Sequence, residues 1–278
     1  MKSLKPFLNT LIICLVLSLC ACGSTAGLIP IPIQTHPLEE GETLTLDVAH
    51  GAVEIQFTAR QDLQLNGSIL PEAADALTVA ESADGLQITF TPQDRQSNPI
   101  HLQLALPKST SVVFETYNAA LSLSGEEGEI DATTMGGDVL LDGFSGQAVI
   151  KANRGDVQVK ASSGAISVFA NYGDVHFEDA HGQISVVNIL GAVVYSGRPE
   201  VNDVFNLQTD HGPVDFSVPA DANLTVAVQT SSGWVTCMPQ SLSTTSRTCD
   251  GNVGTGGAAL AIRTVSGKIK LWVDPLLP

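Results

Sequence analysis

The reading of this chain turns on one stretch: Gly137-DVLLDGFS-Gly146-QAVIKANR-Gly155-DVQVKASS-Gly164-AISVFANY-Gly173-DVHFEDAH-Gly182-QISVVNIL-Gly191. A glycine returns every nine residues, and the series begins one step earlier, at Gly128. Two positions after each glycine come Val139, Ala148, Val157, Ile166, Val175, Ile184 and Val193. Four positions after come Leu141, Ile150, Val159, Val168, Phe177, Val186 and Tyr195. Between them the residues are more polar, as with Gln158, Ser167 and His176. Alternation at period two over five residues describes a half-buried strand. The glycine supplies the corner, because it tolerates positive φ. Each nonapeptide therefore reads as one short strand and one corner.

The register continues outward. It runs back through residues 119–123 and 110–114, and forward from Asp203, Gly212, Leu224, Gly233, Ala258 and Gly267, sixteen units in all. Extra residues interrupt it at three places, within 196–203, 218–223 and 238–257. These interruptions fall after every second unit, and the pairs Gly137-Asp138, Gly155-Asp156 and Gly173-Asp174 also open every second unit. Two units per coil place each set along one edge of a solenoid. The expectation is an all-β, single-stranded β-solenoid with 18 residues per coil. Eight coils at about 4.8 Å make a rod of roughly 38 Å, with the three insertions protruding from one edge on consecutive coils. Such a rod satisfies its backbone from coil to coil and is exposed only at its ends.

The flanks complete the plan. Residues 36–107 carry strand-like runs such as Val53-Glu54-Ile55 and Leu102-Gln103-Leu104, but the nine-residue register fails there. That region reads as an N-terminal β cap that blocks end-to-end pairing, ahead of a solenoid over 108–275. Residues 22–35, with Pro30 and Pro32, read as a tether. Residues 1–21 have a basic start at Lys2 and Lys5 and an apolar run over 8–19, too short for a bilayer span of about 20 residues. Leu19-Cys20-Ala21-Cys22 resembles the lipobox of bacterial lipoproteins. That resemblance implies cleavage before Cys22, acylation of Cys22, and attachment to the bacterial cell membrane or outer membrane on its extracytoplasmic side. Several acyl chains on one residue give stable anchoring.

Composition excludes some partners. Without Lys2 and Lys5 the chain keeps 11 Lys and Arg against 29 Asp and Glu, a net charge of −18. Nucleic acid needs clustered cations, so it is not an expected partner. Of five cysteines, Cys14 and Cys20 leave with the signal and Cys22 takes lipid. Cys237 and Cys249 remain as an even pair in an oxidising compartment, and a disulfide between them is expected.

Leu106-Pro107 leading into repeated strand–Gly-Asp-Val units is similar to the bacterial DUF4097 family of adhesin-like domains, over about residues 40–273. The resemblance implies a β-solenoid on an exported or membrane-tethered protein. It supplies no catalytic residues.

Candidate sites follow from the coil geometry. Asp138, Asp156 and Asp174 should stack at coil spacing, where calcium would suit their oxygens. The calcium-binding nonapeptide Gly-Gly-x-Gly-x-Asp is absent, and Gly-Asp is a common turn pair, so no metal is assigned. Arg154-Gly155-Asp156 spells an integrin-type tripeptide but coincides with a repeat corner. The insertions, with Arg198, Pro199, Glu200, Asp221 and Arg247, are the candidate partner-binding loops, because loops on rigid scaffolds carry recognition. Enzyme signatures such as G-x-S-x-G, H-E-x-x-H and the P-loop are absent, and no cofactor is expected. The expected function is non-enzymatic binding of a surface, an envelope protein or a glycan. The alternatives are a structural or sensory-accessory envelope protein, and a carbohydrate-active β-helix enzyme.

Overall fold

The computed structural model describes residues 27–38, 41–92, 100–238, 241–274 and 277. Cys22 and the signal and lipobox segment lie outside the described residues. In chain order the strands are β1 (Ile29–Pro37), β2 (Thr43–Val48), β3 (His50–Thr58), β4 (Asp62–Ile69), β5 (Leu77–Ser82), β6 (Gly85–Phe90), β7 (Ile100–Pro107) and β8 (Ser111–Thr116). The centre holds β9 (Asn118–Thr134), β10 (Val139–Ala152), β11 (Val157–Lys160), β12 (Ser163–Ala170), β13 (Val175–Glu178), β14 (His181–Asn188) and β15 (Val193–Ser196). The last are β16 (Val204–Thr209), β17 (Val214–Val218), β18 (Leu224–Thr230), β19 (Val235–Cys237), β20 (Ser243–Thr244), β21 (Thr248–Val253), β22 (Ala258–Thr264) and β23 (Ile269–Val273). A 3-10 turn spans Pro71–Ala76. The 23 strands form one continuous sheet wound into a solenoid.

The winding has two faces. Val139 pairs in parallel with Val157, Val157 with Val175, and Val175 with Val193, each partner 18 residues on. On the opposite face Gly146 pairs with Gly164 and Gly164 with Gly182. The front face stacks β6, β2, β8, the second half of β9, the second half of β10, β12, β14, β16, β22 and β18 in parallel. The back face stacks β7, β3, the first half of β9, the opening residues of β10, β11, β13, β15, β17, β23 and β19. Ten parallel coils at about 4.8 Å span roughly 43 Å.

Stacking order departs from chain order at both ends. The coil of β2 and β3 lies between that of β6 and β7 and that of β8 and β9. So residues 43–58, 85–90 and 100–107 extend the parallel stack, where a separate cap is the sequence expectation. The end is closed beyond them by antiparallel strands: β5 on β6, and β4 on β7 with β1 on β4. Residues 29–35 of the expected tether belong to β1. Their alternation Ile29, Ile31, Ile33 suits a strand, and prolines are tolerated at a sheet edge. At the other end the coil of β22 and β23, last in sequence, slots between β16–β17 and β18–β19. The sequential stacking of the final units is therefore corrected. Every coil carries the same alternation, so the pattern fixes which side chains point inward without fixing which coils are neighbours.

The core lies between the faces. Val139, Val157, Val175 and Val193 point into it, opposed by Ile150, Val168 and Val186, all nearly fully buried. Tyr195 stacks on Phe216 with centroids 4.3 Å apart and meets Phe205 edge-on at 4.8 Å. These rings fill the coils beside the first insertion, the edge-on pair within the 4.5–7 Å range typical of aromatic pairs and the stacked pair just below it.

Candidate functional site

Two edges join the faces. One runs through the corners at 134–138, 152–156, 170–174 and 188–192 and can be called the glycine edge. A Cβ on Gly155 would stand 2.0 Å from the Gly137 carbonyl oxygen of the neighbouring coil, and one on Gly173 would stand 2.0 Å from that of Gly155. These glycines are required by close backbone approach. The expected reason, positive φ, holds on the other edge, for example at Gly164 (φ +119°). A polar side chain three residues earlier braces the corners at Gly137, Gly191, Gly212, Gly233 and Gly267 from inside, while Ala152 and Ala170 stand at that position before Gly155 and Gly173. The Gly137 N–H donates to Thr134 Oγ1 at 2.8 Å, and Thr134 Oγ1 donates to the Gly137 carbonyl at 3.0 Å. Thr209 repeats the second bond to Gly212, Thr264 to Gly267, and Asn188 Oδ1 accepts from Gly191. The sequence signal for this brace, Thr three residues before Gly, recurs along the chain but does not stand out beside the glycine spacing.

The stacked aspartates sit on this edge, where the sequence puts them. Asp138 Oδ1 accepts the Asp156 N–H at 2.9 Å, Asp156 Oδ1 that of Asp174 at 2.8 Å, and Asp174 Oδ1 that of Ala192 at 2.7 Å. Each carboxylate thus ties its coil to the next, which accounts for the Gly-Asp pairs. The same bond engages Asp156 of the Arg154-Gly155-Asp156 corner. Among the described residues no group of three or more His, Cys, Asp or Glu is placed to hold a metal.

The second edge returns the chain to the front face and carries the insertions. Residues 196–203 and 218–223 meet there: the exposed Arg198 Nη1 lies 2.9 Å from the exposed Asp221 Oδ1. The guanidinium holds the Asp221 carboxyl below its usual range, and Asp221 raises Arg198 in return. Pro199 is buried and Glu200 exposed. The loop is fixed by Asp203, only 5% exposed. Asp203 accepts the Gly182 N–H at 2.7 Å and the Glu200 N–H at 2.7 Å, and its Oδ2 lies 3.2 Å from His181 Nδ1. Beneath it the Tyr195 hydroxyl donates to the Ala180 carbonyl, and burial, assisted by Asp203 and Asp179, pushes its pKa well up.

The third insertion does not join them. Its described residues 241–257 fold back over the end, where β21 pairs antiparallel with β18 and β20 with β21, burying Leu242, Cys249 and Val253. The Cys237–Cys249 disulfide closes this end, with Cα atoms 6.5 Å apart. The Arg247 carbonyl accepts the Thr230 N–H, so Arg247 stands at the glycine edge, across the rod from Arg198. The length of 238–257 follows from topology, since the chain must double back before β22 can enter its slot.

A shallow hollow of about 420 Å³ lies on the outer back face near the first coils, lined by Gln56, Gln64, Asn66, Gln103, Ser122 and Glu54. Glu54 Oε2 accepts from Gln103 Nε2 at 2.9 Å, and its Oε1 lies 2.9 Å from His101 Nε2. The Gln103 bond, and secondarily His101, keep the Glu54 carboxyl below its usual range despite partial desolvation. Its signal is the set of amide-rich outward positions within 54–103, visible only once the strands are set side by side.

The described residues contain no helix long and apolar enough to cross a membrane. The family model described as Toastrack DUF4097 matches residues 37–272. Among solved structures, the chain is similar to a "putative adhesin" from Parabacteroides distasonis ATCC 8503, at 11% identity and a TM-score of 0.38, covering 89% of this chain and 98% of that one. It is also similar to a "putative adhesin" from Bacteroides fragilis NCTC 9343, at 13% identity and a TM-score of 0.31, covering 90% and 100%. A "putative lipid binding protein" from Parabacteroides distasonis ATCC 8503 is similar at 11% identity and a TM-score of 0.33, covering 87% and 97%. None of the curated proteins matches the chain.

Proposed function

The chain belongs to the Toastrack DUF4097 family, and on that premise we propose that it is a lipid-anchored, non-enzymatic protein of the bacterial cell envelope. Cys22 carries the lipid, and the β-solenoid, built of nine-residue strand-and-corner units and capped at its N-terminal end, displays an adhesin-like surface outside the cytoplasm. Its partner is a glycan or a protein of the envelope, and it meets that partner through the paired insertion loops. The observation that carries this reading is the Arg198–Asp221 clasp at 2.9 Å. It joins two solvent-exposed loops, one of them pinned by the buried Asp203, on a scaffold whose backbone is bonded coil to coil. Recognition is expected of loops held in that way. The matched family and the strong negative charge agree with an exported binding protein and with the exclusion of nucleic acid.

The test is a pull-down from native envelope with the intact chain, beside a double variant Arg198→Ser, Asp221→Ser. The variant should fold, because both side chains are exposed. The expected result is a partner retained by the intact chain and lost from the variant. Equal recovery of the same partner by both would remove the loops from the proposal.

A further inference from the structure

Strand β1 combines two features that seldom occur together. It is the outermost strand of the back face and, among the described residues, pairs only with β4. Three of its nine residues, Pro30, Pro32 and Pro37, have no N–H to donate, so its free side is a poor template for another strand. Yet it presents large apolar side chains to solvent: Leu28 just before it is 47% exposed, Ile29 40% and Ile33 68%, while Ile31 between them is buried. Apolar side chains on an edge that refuses a β-partner suit a surface that asks for no backbone hydrogen bonds. Leu28 is six residues beyond Cys22, and an extended chain covers at most about 3.5 Å per residue, so the start of β1 stays within roughly 20 Å of that cysteine and Ile33 within roughly 40 Å.

We infer that Leu28, Ile29 and Ile33 form a membrane-contact lip that enters the interfacial layer of the bilayer holding the anchor and sets the angle of the rod. The inference rests on the reading of Cys22 as the lipid-bearing residue. Three side chains are a weak membrane ligand alone, but a tether this short keeps them at high effective concentration against the surface. Among the described residues no basic patch accompanies the lip. Arg60, opposite its end, is held by Asp62 at 2.8 Å, and the neighbouring 3-10 turn exposes Glu72 and Asp75. The matching surface is therefore zwitterionic, since an anionic one would meet like charge.

Tryptophan quenching tests this with the full acylated chain in phosphatidylcholine vesicles, with and without brominated acyl chains. Trp234 and Trp272 belong to the coils at the opposite end and give the baseline. Ile33→Trp should add emission that brominated lipid cuts at least twofold. Tyr172→Trp, at a mid-rod corner where the native side chain is 61% exposed, should add emission that is unchanged. Placing Leu28→Gln and Ile29→Gln in the Ile33→Trp chain should abolish the quenching. Acylation is read separately, by palmitate incorporation that disappears in Cys22→Ser. Acylated protein with no quenching at position 33, or with equal quenching at 33 and 172, overturns the lip and leaves the anchor standing. Absence of acylation overturns both.

Discussion

At the scale of single residues, glycine serves two different purposes in this chain, and the two can be separated by substitution. Gly155 has ordinary φ, but its missing Cβ makes room for the Gly137 carbonyl 2.0 Å away. Gly143 has φ +62° with nothing within 4 Å of a Cβ. Gly143→Ala should cost about 1 kcal/mol, the usual penalty for a left-handed residue with a side chain. Gly155→Ala must push neighbouring coils apart and should cost about 3 kcal/mol, at the upper end for overpacking. Urea unfolding of both variants checks the order, and equal costs would contradict the assignment. The positions were legible as glycines, because the nine-residue spacing is plain in the sequence. The reasons were not, because spacing carries no information on how close the next coil lies. The hollow on the back face offers a second residue-scale prediction. Gln103 and His101 stabilise ionised Glu54, so its folded pKa lies below its unfolded one. The associated stability is present above the unfolded pKa and is lost as pH falls through the folded pKa. Gln103→Ala should move the Glu54 carboxyl titration, followed by NMR, upward toward the ordinary glutamate range. An unmoved titration would show that Gln103 is not the dominant cause.

At the scale of elements, the connections record the topology more faithfully than the strands do. Residues 218–223 span from β17 to β18, and the coil of β22 and β23 lies between those two. The three extra residues are the length needed to step over an occupied slot, although in the sequence they read as a protruding loop. Residues 196–203 make an ordinary one-coil step, and their extra residues do project, held by Asp203. These two origins predict different sensitivities. Arg198→Ala removes an exposed ion pair of the kind that contributes little, so the urea midpoint should not move. Asp203→Ala leaves the Gly182 and Glu200 N–H groups without their acceptor and should cost about 2 kcal/mol. The disulfide belongs to the end, since it ties β19 to β21. Replacing Cys237 and Cys249 with Ala should cost about 3 kcal/mol. Amide exchange should rise only across β18 to β21, with β11 to β14 unaffected, because each coil of a solenoid touches only its neighbours. Uniform loss of protection along the rod would contradict that locality.

At the scale of the whole molecule, the interleaved ends make this solenoid behave unlike a chain of coils added one by one. In a sequential stack the last coil could be removed with only local fraying. Here the last residues in sequence supply an interior coil. β22 bonds to both β16 and β18, and β23 to both β17 and β19. Removing residues 257–278 would leave β18, β19 and the disulfide-closed hairpin facing β16 and β17 across an empty slot two strand spacings wide, about 9.6 Å. Gly212 and Gly233 each approach Gly267 across that slot, so the tight contacts that set coil spacing would go as well. The expected outcome of this truncation is loss of exchange protection over 224–253 together, with residues 111–178 still protected. The folded remainder should expose β16 and β17 as a long unpaired edge, and such an edge associates with other chains. The truncated protein should therefore elute as oligomers on size-exclusion chromatography. A monomer in which β18 and β19 have closed onto β16 and β17, with protection across 204–230 intact, would show that the interposed coil is dispensable. That outcome would also show that chain order and stacking order are interchangeable in this fold. The same logic applies to β2 and β3, which the sequence places before the solenoid and the structure places inside it.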